Sequence, residues 1–185
     1  MDNYIRIYEN ALTRDECKHL ISKFETDKEH HQVQDCGQGA TLTQINLLHS
    51  PDTIWKDEVN SLANTIVNCA QQYKKDCDIK DNQWPKQFGF APPKIKRYMP
   101  GSNDRFPEHV DVLDHKTAKR FLTAFIYLDN NEKGQTLITP KDDKFVSFCT
   151  RGSLLLFPPL WPWLHTGMPP ADKPKYIVGS YLHYP

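Results

Sequence analysis

An excess of charge of either sign is missing from this chain: 23 Lys and Arg balance 23 Asp and Glu, for a formal net charge of zero and a pI near 7.1. A balanced surface has no global field to gather nucleic acid or an anionic bilayer, so neither is an expected partner, and the expected partner is small or recognised locally. Also lacking is an apolar run long enough to span a bilayer, and Met1-Asp2-Asn3-Tyr4-Ile5-Arg6 lacks the charged-then-apolar layout of a secretion signal. The expectation is a soluble, cytoplasmic protein. Cysteine is scarce and scattered: Cys17, Cys36, Cys69, Cys77 and Cys149 are odd in number and form no C-x-x-C pair, which argues against a disulfide framework and against a structural zinc site. No internal repeat, low-complexity tract or linker divides the chain, and 185 residues fit one domain with a sizeable core.

What is present changes character midway. In the first half, Thr13 with Glu16 three positions on forms a capping-box pattern, and Cys17, Leu20, Ile21 and Phe24 then recur on one helical face. Ser50-Pro51 is read as opening a second helix whose apolar stripe runs from Ile54 through Val59, Leu62, Ile66 and Ala70 to Tyr73. Between them Asp35 to Gly39 reads as a turn and Thr41 to Leu48 as an edge strand. From Pro93 onward short apolar runs alternate with Pro, Gly, Asn and Asp: 95–99, 122–128, 135–139, 145–149, 153–157 and 176–183. That density of short strands predicts an antiparallel sandwich or barrel. The expected fold class is mainly β with N-terminal helices (α+β), with 1–92 as a helical support region with edge strands and 93–185 as the β core.

The chemistry-bearing set is His109-Val110-Asp111, then His165, then Lys175. On an extended strand i and i+2 share a face, so His109 and Asp111 can present an imidazole and a carboxylate to one point. A histidine from a distant strand completes two nitrogens and one anionic oxygen on one face, a donor set that suits Fe(II) and leaves the opposite face open. Each piece alone has a plainer reading: a solvated surface strand for His109 and Asp111, a histidine beside the apolar turn Phe157 to Leu164 for His165, and a solvated loop lysine for Lys175. Their order and the intervening strands favour one metal site. The aromatic stretch Phe157 to Trp163 reads as an apolar turn, with Trp161 or Trp163 near the mouth of the β core as the functional alternative.

From Tyr98 to the C-terminus these residues resemble the 2-oxoglutarate and Fe(II)-dependent dioxygenases, and within them the prolyl 4-hydroxylase-like branch. The segment His165-Thr166-Gly167-Met168-Pro169-Pro170 leading to Lys175-Tyr176-Ile177-Val178 is similar to the family's H-x-G-x-P-V run and basic residue. Arg120 to Leu128 is similar to its R-x-x-T-x-x-x-Y-L strand, and Lys133-Gly134-Gln135-Thr136 to its Gly-Gly-Glu-Thr. The resemblance implies a double-stranded β-helix (jelly roll), with His109, Asp111 and His165 as catalytic Fe(II) ligands. It implies Lys175, Tyr98 and Thr136 as residues holding 2-oxoglutarate, with Lys175 on the distal carboxylate. It adds ascorbate as a further candidate cofactor. The implied activity is hydroxylation of a C–H bond, with succinate and CO2 released, on a prolyl residue in a peptide or protein; a free amino acid or another small molecule is the alternative substrate. A non-catalytic jelly-roll binding module and an oxygen-responsive regulatory protein are the readings from other classes.

Overall fold

The computed structural model describes residues 4–48, 54–139 and 144–185. Two antiparallel sheets carry the chain. The larger runs in the order β1 (Arg6–Tyr8), β10 (Leu154–Phe157), β7 (Arg120–Tyr127), β12 (Lys175–His183), β5 (Lys94–Tyr98), β3 (Ala40–Asn46), β2 (Gln32–Gly37), with β4 (Gly89–Phe90) also on β12. The smaller runs β6 (Phe106–His109), β11 (Leu164–Gly167), β8 (Asn131–Thr139), β9 (Phe145–Cys149). Their inward faces enclose Leu42, Tyr98, Phe125, Tyr127, Ile138 and Phe157. This is the expected mainly-β jelly roll.

Helix α1 (Arg14–Thr26) starts where the capping box places it: Glu16 N–H donates to Thr13 Oγ1 at 3.2 Å, and Thr13 N–H donates to the Glu16 carboxylate at 2.8 Å. Helix α2 (Lys56–Asp76) follows, with Trp55 at its N-cap; Ser50-Pro51 lies outside the described residues. Both helices bury their stripes on the outer face of the larger sheet, against Ile45, Ile95, Leu122, Ile126 and Val178. The larger sheet is thus covered on both sides, which explains why β10 reads Leu-Leu-Leu-Phe without alternation: Leu154 and Leu156 meet the helices, Leu155 and Phe157 the interior.

Two expectations need correction. The turn expected over 35–39 is confined to Gln38-Gly39, residues 35–37 belonging to β2, and the segment after it is not an edge strand: β3 lies between β5 and β2, and β2 holds the edge. Strand β2, Gln-Val-Gln-Asp-Cys-Gly, is too polar to read as a strand, and its exposed edge position is where such a sequence belongs. The cysteines follow expectation, all five being free thiols.

Period-two alternation turns the key strands into columns. On β5, Ile95 joins the helix-side core and Arg97 pairs with Glu25 at 2.9 Å, leaving Lys94, Lys96 and Tyr98 on the opposite, inward face. On β12 the inward column is Lys175, Ile177, Gly179, Tyr181. The register places Lys175 opposite Tyr98, and Tyr181 opposite Thr123 of β7. One end of the interior therefore receives Lys175 and Tyr98, the other Tyr181 and Thr123.

Candidate metal centre

Pairing of β6 with β11 sets His109 opposite His165. Strand β6 ends at His109, so Asp111 lies two residues beyond it rather than on the strand. The Asp111 backbone N–H donates to Pro159 O at 3.1 Å, and the Arg120 guanidinium donates to Asp111 O at 2.9 Å. Those two bonds do what the strand was expected to do, and turn the carboxylate back toward the histidines. One ligand atom from each of His109, Asp111 and His165 lies within 4.8 Å of the other two.

The donor set is polarised for a cation. His109 Nδ1 lies 2.8 Å from Pro107 O and His165 Nδ1 lies 3.0 Å from Trp163 O. A carbonyl can only accept, so both Nδ1 atoms carry hydrogen and both Nε2 atoms point lone pairs at Asp111. Each Nε2 lies 3.6 Å from an Asp111 carboxylate oxygen, too far for a hydrogen bond. His165 is 1% exposed, and its Nε2 is buried with no partner. Burial lowers the His165 imidazole to about 4, keeping it neutral. Burial alone would raise the Asp111 carboxyl, but its polar surroundings, the Tyr181 hydroxyl among them, outweigh it and hold it well below the usual carboxylate range. Thr123 Oγ1 donates to one Asp111 oxygen and Tyr181 Oη to the other, both at 2.8 Å. A buried anion facing two nitrogen lone pairs, with an orphaned nitrogen among them, is an unfavourable arrangement that a divalent cation resolves. The set fits Fe(II).

A second group, Asp27, Glu29 and His30, also has ligand atoms close together. There, however, Asp27 accepts from Trp55 Nε1 at 2.7 Å and meets His30 Nδ1 at 2.5 Å, so its oxygens are already engaged.

Lys175 is not a solvated loop lysine. It is 2% exposed, its Nζ sits 4.6 Å from the Tyr98 ring centroid, and its hydrogen bond to Met168 O is long at 3.4 Å. No carboxylate among the described residues lies within 4.0 Å of it. Burial pushes its ammonium down to about 8. A buried cation without a counter-ion calls for an anion. Thr136, 2% exposed, accepts from the Tyr127 hydroxyl at 2.9 Å, and it shares with Tyr98 and His165 the lining of a narrow void of about 20 Å³. Tyr98, Thr136, His109 and His165 thus line one void, with Lys175 against the Tyr98 ring.

Other contributors escaped the sequence reading. Thr123 and Arg120 belong to a strand read as framework, yet both bond Asp111; Tyr181 and Lys96 were not singled out at all. Alternation from Tyr98 back to Lys96 was the available signal. Neither Trp161 nor Trp163 lines the cavity beside His109 and Asp111. Trp163 meets Tyr4 edge to face, and its main-chain carbonyl orients His165.

Comparison with known proteins agrees with this geometry. Residues 93–183 match the family described as the 2OG-Fe(II) oxygenase superfamily. No curated protein matches the sequence. Among solved structures, the chain is similar to the viral collagen prolyl hydroxylase of Paramecium bursaria Chlorella virus-1 in its 2OG complex, with a TM-score of 0.68 and 17% identity over 98% of this chain and 96% of that one. It is similar to a Trichoplax adhaerens prolyl hydroxylase in complex with a hypoxia inducible factor peptide fragment, with a TM-score of 0.72 and 15% identity over 98% and 84%. A Pseudomonas putida prolyl-4-hydroxylase gives a TM-score of 0.66 and 14% identity over 98% and 92%. At such identities the structures speak to the fold, and the sequence match to the family. Among the described residues no helix is long and apolar enough to cross a membrane. The family match, the double-stranded β-helix and the buried donor set meet on the same residues, and the chain belongs to the 2OG-Fe(II) oxygenase superfamily.

Proposed function

We propose that this protein hydroxylates a C–H bond of a prolyl residue in a peptide or protein, using Fe(II), 2-oxoglutarate and O2, and that the chain works as one domain. His109, Asp111 and His165 would hold the metal, and Lys175, Tyr98 and Thr136 the cosubstrate. Bound together, Fe(II) and 2-oxoglutarate supply the oxidising chemistry: one oxygen atom of O2 enters succinate as CO2 leaves, and the other enters the substrate C–H bond.

The chain's own residues do the positioning. Thr123 and Tyr181 spend their hydroxyl hydrogens on Asp111, which fixes the carboxylate plane and keeps it ionised. Pro107 O and Trp163 O fix the tautomers of the two histidines. Lys175 offers a charge-assisted contact to the far carboxylate of a diacid, beside the Tyr98 ring and the Thr136 hydroxyl. The void that Tyr98 and Thr136 line is small, so cosubstrate entry requires the lining side chains, Lys96 and Phe106 among them, to shift. A larger cavity of about 420 Å³ opens beside His109 and Asp111 and offers a place for substrate. The prolyl assignment draws its support from the likeness in fold to proteins named as prolyl hydroxylases.

The single observation that carries the reading is the buried anionic triad in the same interior as a buried, unpaired lysine. Succinate formation with a panel of prolyl peptides and free amino acids tests it. Turnover should require Fe(II) and 2-oxoglutarate and vanish in His109→Ala, and hydroxyproline should appear in a peptide. Succinate without hydroxyproline, but with a hydroxylated free amino acid, would move the substrate to the small-molecule alternative; no succinate under any condition would favour a non-catalytic binding module. Ascorbate belongs to the same proposal, with fewer turnovers expected when it is omitted.

A further inference from the structure

We propose that the substrate carries a carboxylate beside the carbon that is oxidised, recognised by Lys94, Lys96 and Arg120 at the mouth of the β core. This rests on the dioxygenase reading and deepens it. The three cations line the cavity that opens beside His109 and Asp111, two from the inward column of β5 and one from the first position of β7. Lys96 is only 8% exposed, yet its Nζ makes no hydrogen bond among the described residues; it sits over the Phe106 ring, 5.1 Å from the centroid. Lys94 is half-buried and likewise without a bond. Arg120 is held in place by Asp111 O at 2.9 Å and by the Tyr181 ring, 4.0 Å from its Cζ, and has no carboxylate partner among the described residues.

Neither of the two acids that line this cavity forms an ion pair with the cations among the described residues. Asp111 faces the histidines and accepts from Thr123 and Tyr181. Asp114 is turned into its own loop, accepting from Thr117 N–H at 2.8 Å and Thr117 Oγ1 at 2.7 Å. Like charges are thus gathered at low exposure with only the field of Asp111, itself turned to the histidines, to offset Lys96, and burial together with Arg120 makes the Lys94 amine less readily protonated. Such an arrangement is costly until an anion arrives, and arrival of one is correspondingly favoured. The cosubstrate's far carboxylate has Lys175, in the register pair with Tyr98, and although Lys96 also lines the small void beside Tyr98 and Thr136, Lys94 and Arg120 do not. A neutral prolyl segment would leave all three cations unpaired.

The carboxylate could be an acidic side chain flanking the proline or the α-carboxylate of a free amino acid. Two matched pairs separate these sources: N-acetyl-Asp-Pro-amide against N-acetyl-Asn-Pro-amide, and L-proline against L-prolinamide. Binding is measured calorimetrically to the full-chain protein loaded with Fe(II) and saturating 2-oxoglutarate under anaerobic conditions, so the readout does not depend on turnover. The acid of at least one pair should bind about tenfold more tightly than its amide, the preference should shrink as salt is raised, and it should be lost in Lys94→Gln/Lys96→Met. Equal binding of acid and amide in both pairs overturns the proposal, as does an acid preference that excess 2-oxoglutarate competes away, because the anion would then be occupying the cosubstrate pocket. The unsubstituted protein alone decides the acid preference should the double variant not fold. Failure of the dioxygenase reading shows separately, as absence of succinate when the same samples meet O2.

Discussion

Lys175 concentrates the electrostatics of this protein in one side chain. At 2% exposure, with a 3.4 Å bond to a carbonyl and an aromatic face for company, the ammonium is underserved by its surroundings. Lys175→Ala should therefore weaken 2-oxoglutarate binding by about a hundredfold, the scale of a charge-assisted contact in a buried site, while changing metal affinity little. Lys175→Arg keeps the charge and should retain part of the binding. Anaerobic titration with 2-oxoglutarate, with and without Fe(II), separates the two effects. The same lysine sets a pH limit. Only its protonated form pairs with a carboxylate, and burial lowers it to about 8, so affinity should be flat below that pH and fall by about tenfold per unit above it. An affinity independent of pH up to 10 would place the cosubstrate's anchor on an arginine, with Arg120 the next candidate.

Strand periodicity decides which residues meet, and it also decides what could be read from sequence. Helix α1 was legible because its cap and its apolar face are both local signals: Thr13, Glu16, Cys17, Leu20, Phe24. The site was legible as a set of residue types in order, His109, Asp111, His165, Lys175, since the donor chemistry restricts the choices. What could not be read were partnerships made across strands. Thr123 and Tyr181 reach Asp111 because β7 and β12 are in register, a fact no local pattern carries. Nor could the edge position of β2 be read, because pairing order is a property of the sheet. Gly134 on β8 shows the same cross-strand dependence. A Cβ there would lie 2.8 Å from Lys175 Cδ and 3.0 Å from Asn131 Oδ1. Its φ is not in the left-handed region, so alanine is strained only by packing, and the neighbour that must give is the lysine stem. Gly134→Ala should raise the KM for 2-oxoglutarate severalfold with a smaller effect on kcat. A lowered melting temperature with KM unchanged would mean that β8, not Lys175, moves to admit the methyl group.

At the scale of the molecule, a chain with no net charge keeps its uncompensated charges inside: cations at the mouth and at the far end of the β core, an anion between them at Asp111. A buried carboxylate that faces two imidazole lone pairs weakens the folded state relative to one in which a divalent cation sits among them. A metal that binds the folded chain at one site, and the unfolded chain hardly at all, stabilises it by about 2.7 kcal/mol at a hundredfold excess over its Kd. For a domain of this length that corresponds to a rise of about 5–10 °C in melting temperature. Mn(II), which takes the same donors without being oxidised in air, is the practical probe. The unsubstituted protein should show that rise and Asp111→Ala should show none, since the anionic ligand is gone. Asp27→Asn supplies the control, because Asp27 belongs to the other cluster with closely spaced ligand atoms and its oxygens are engaged by Trp55 and His30. It should lower the starting melting temperature by removing a helix-end contact, yet leave the Mn(II)-induced rise intact. A rise that survives Asp111→Ala and disappears in Asp27→Asn would relocate the metal to the helix side of the molecule and leave the triad without its ion.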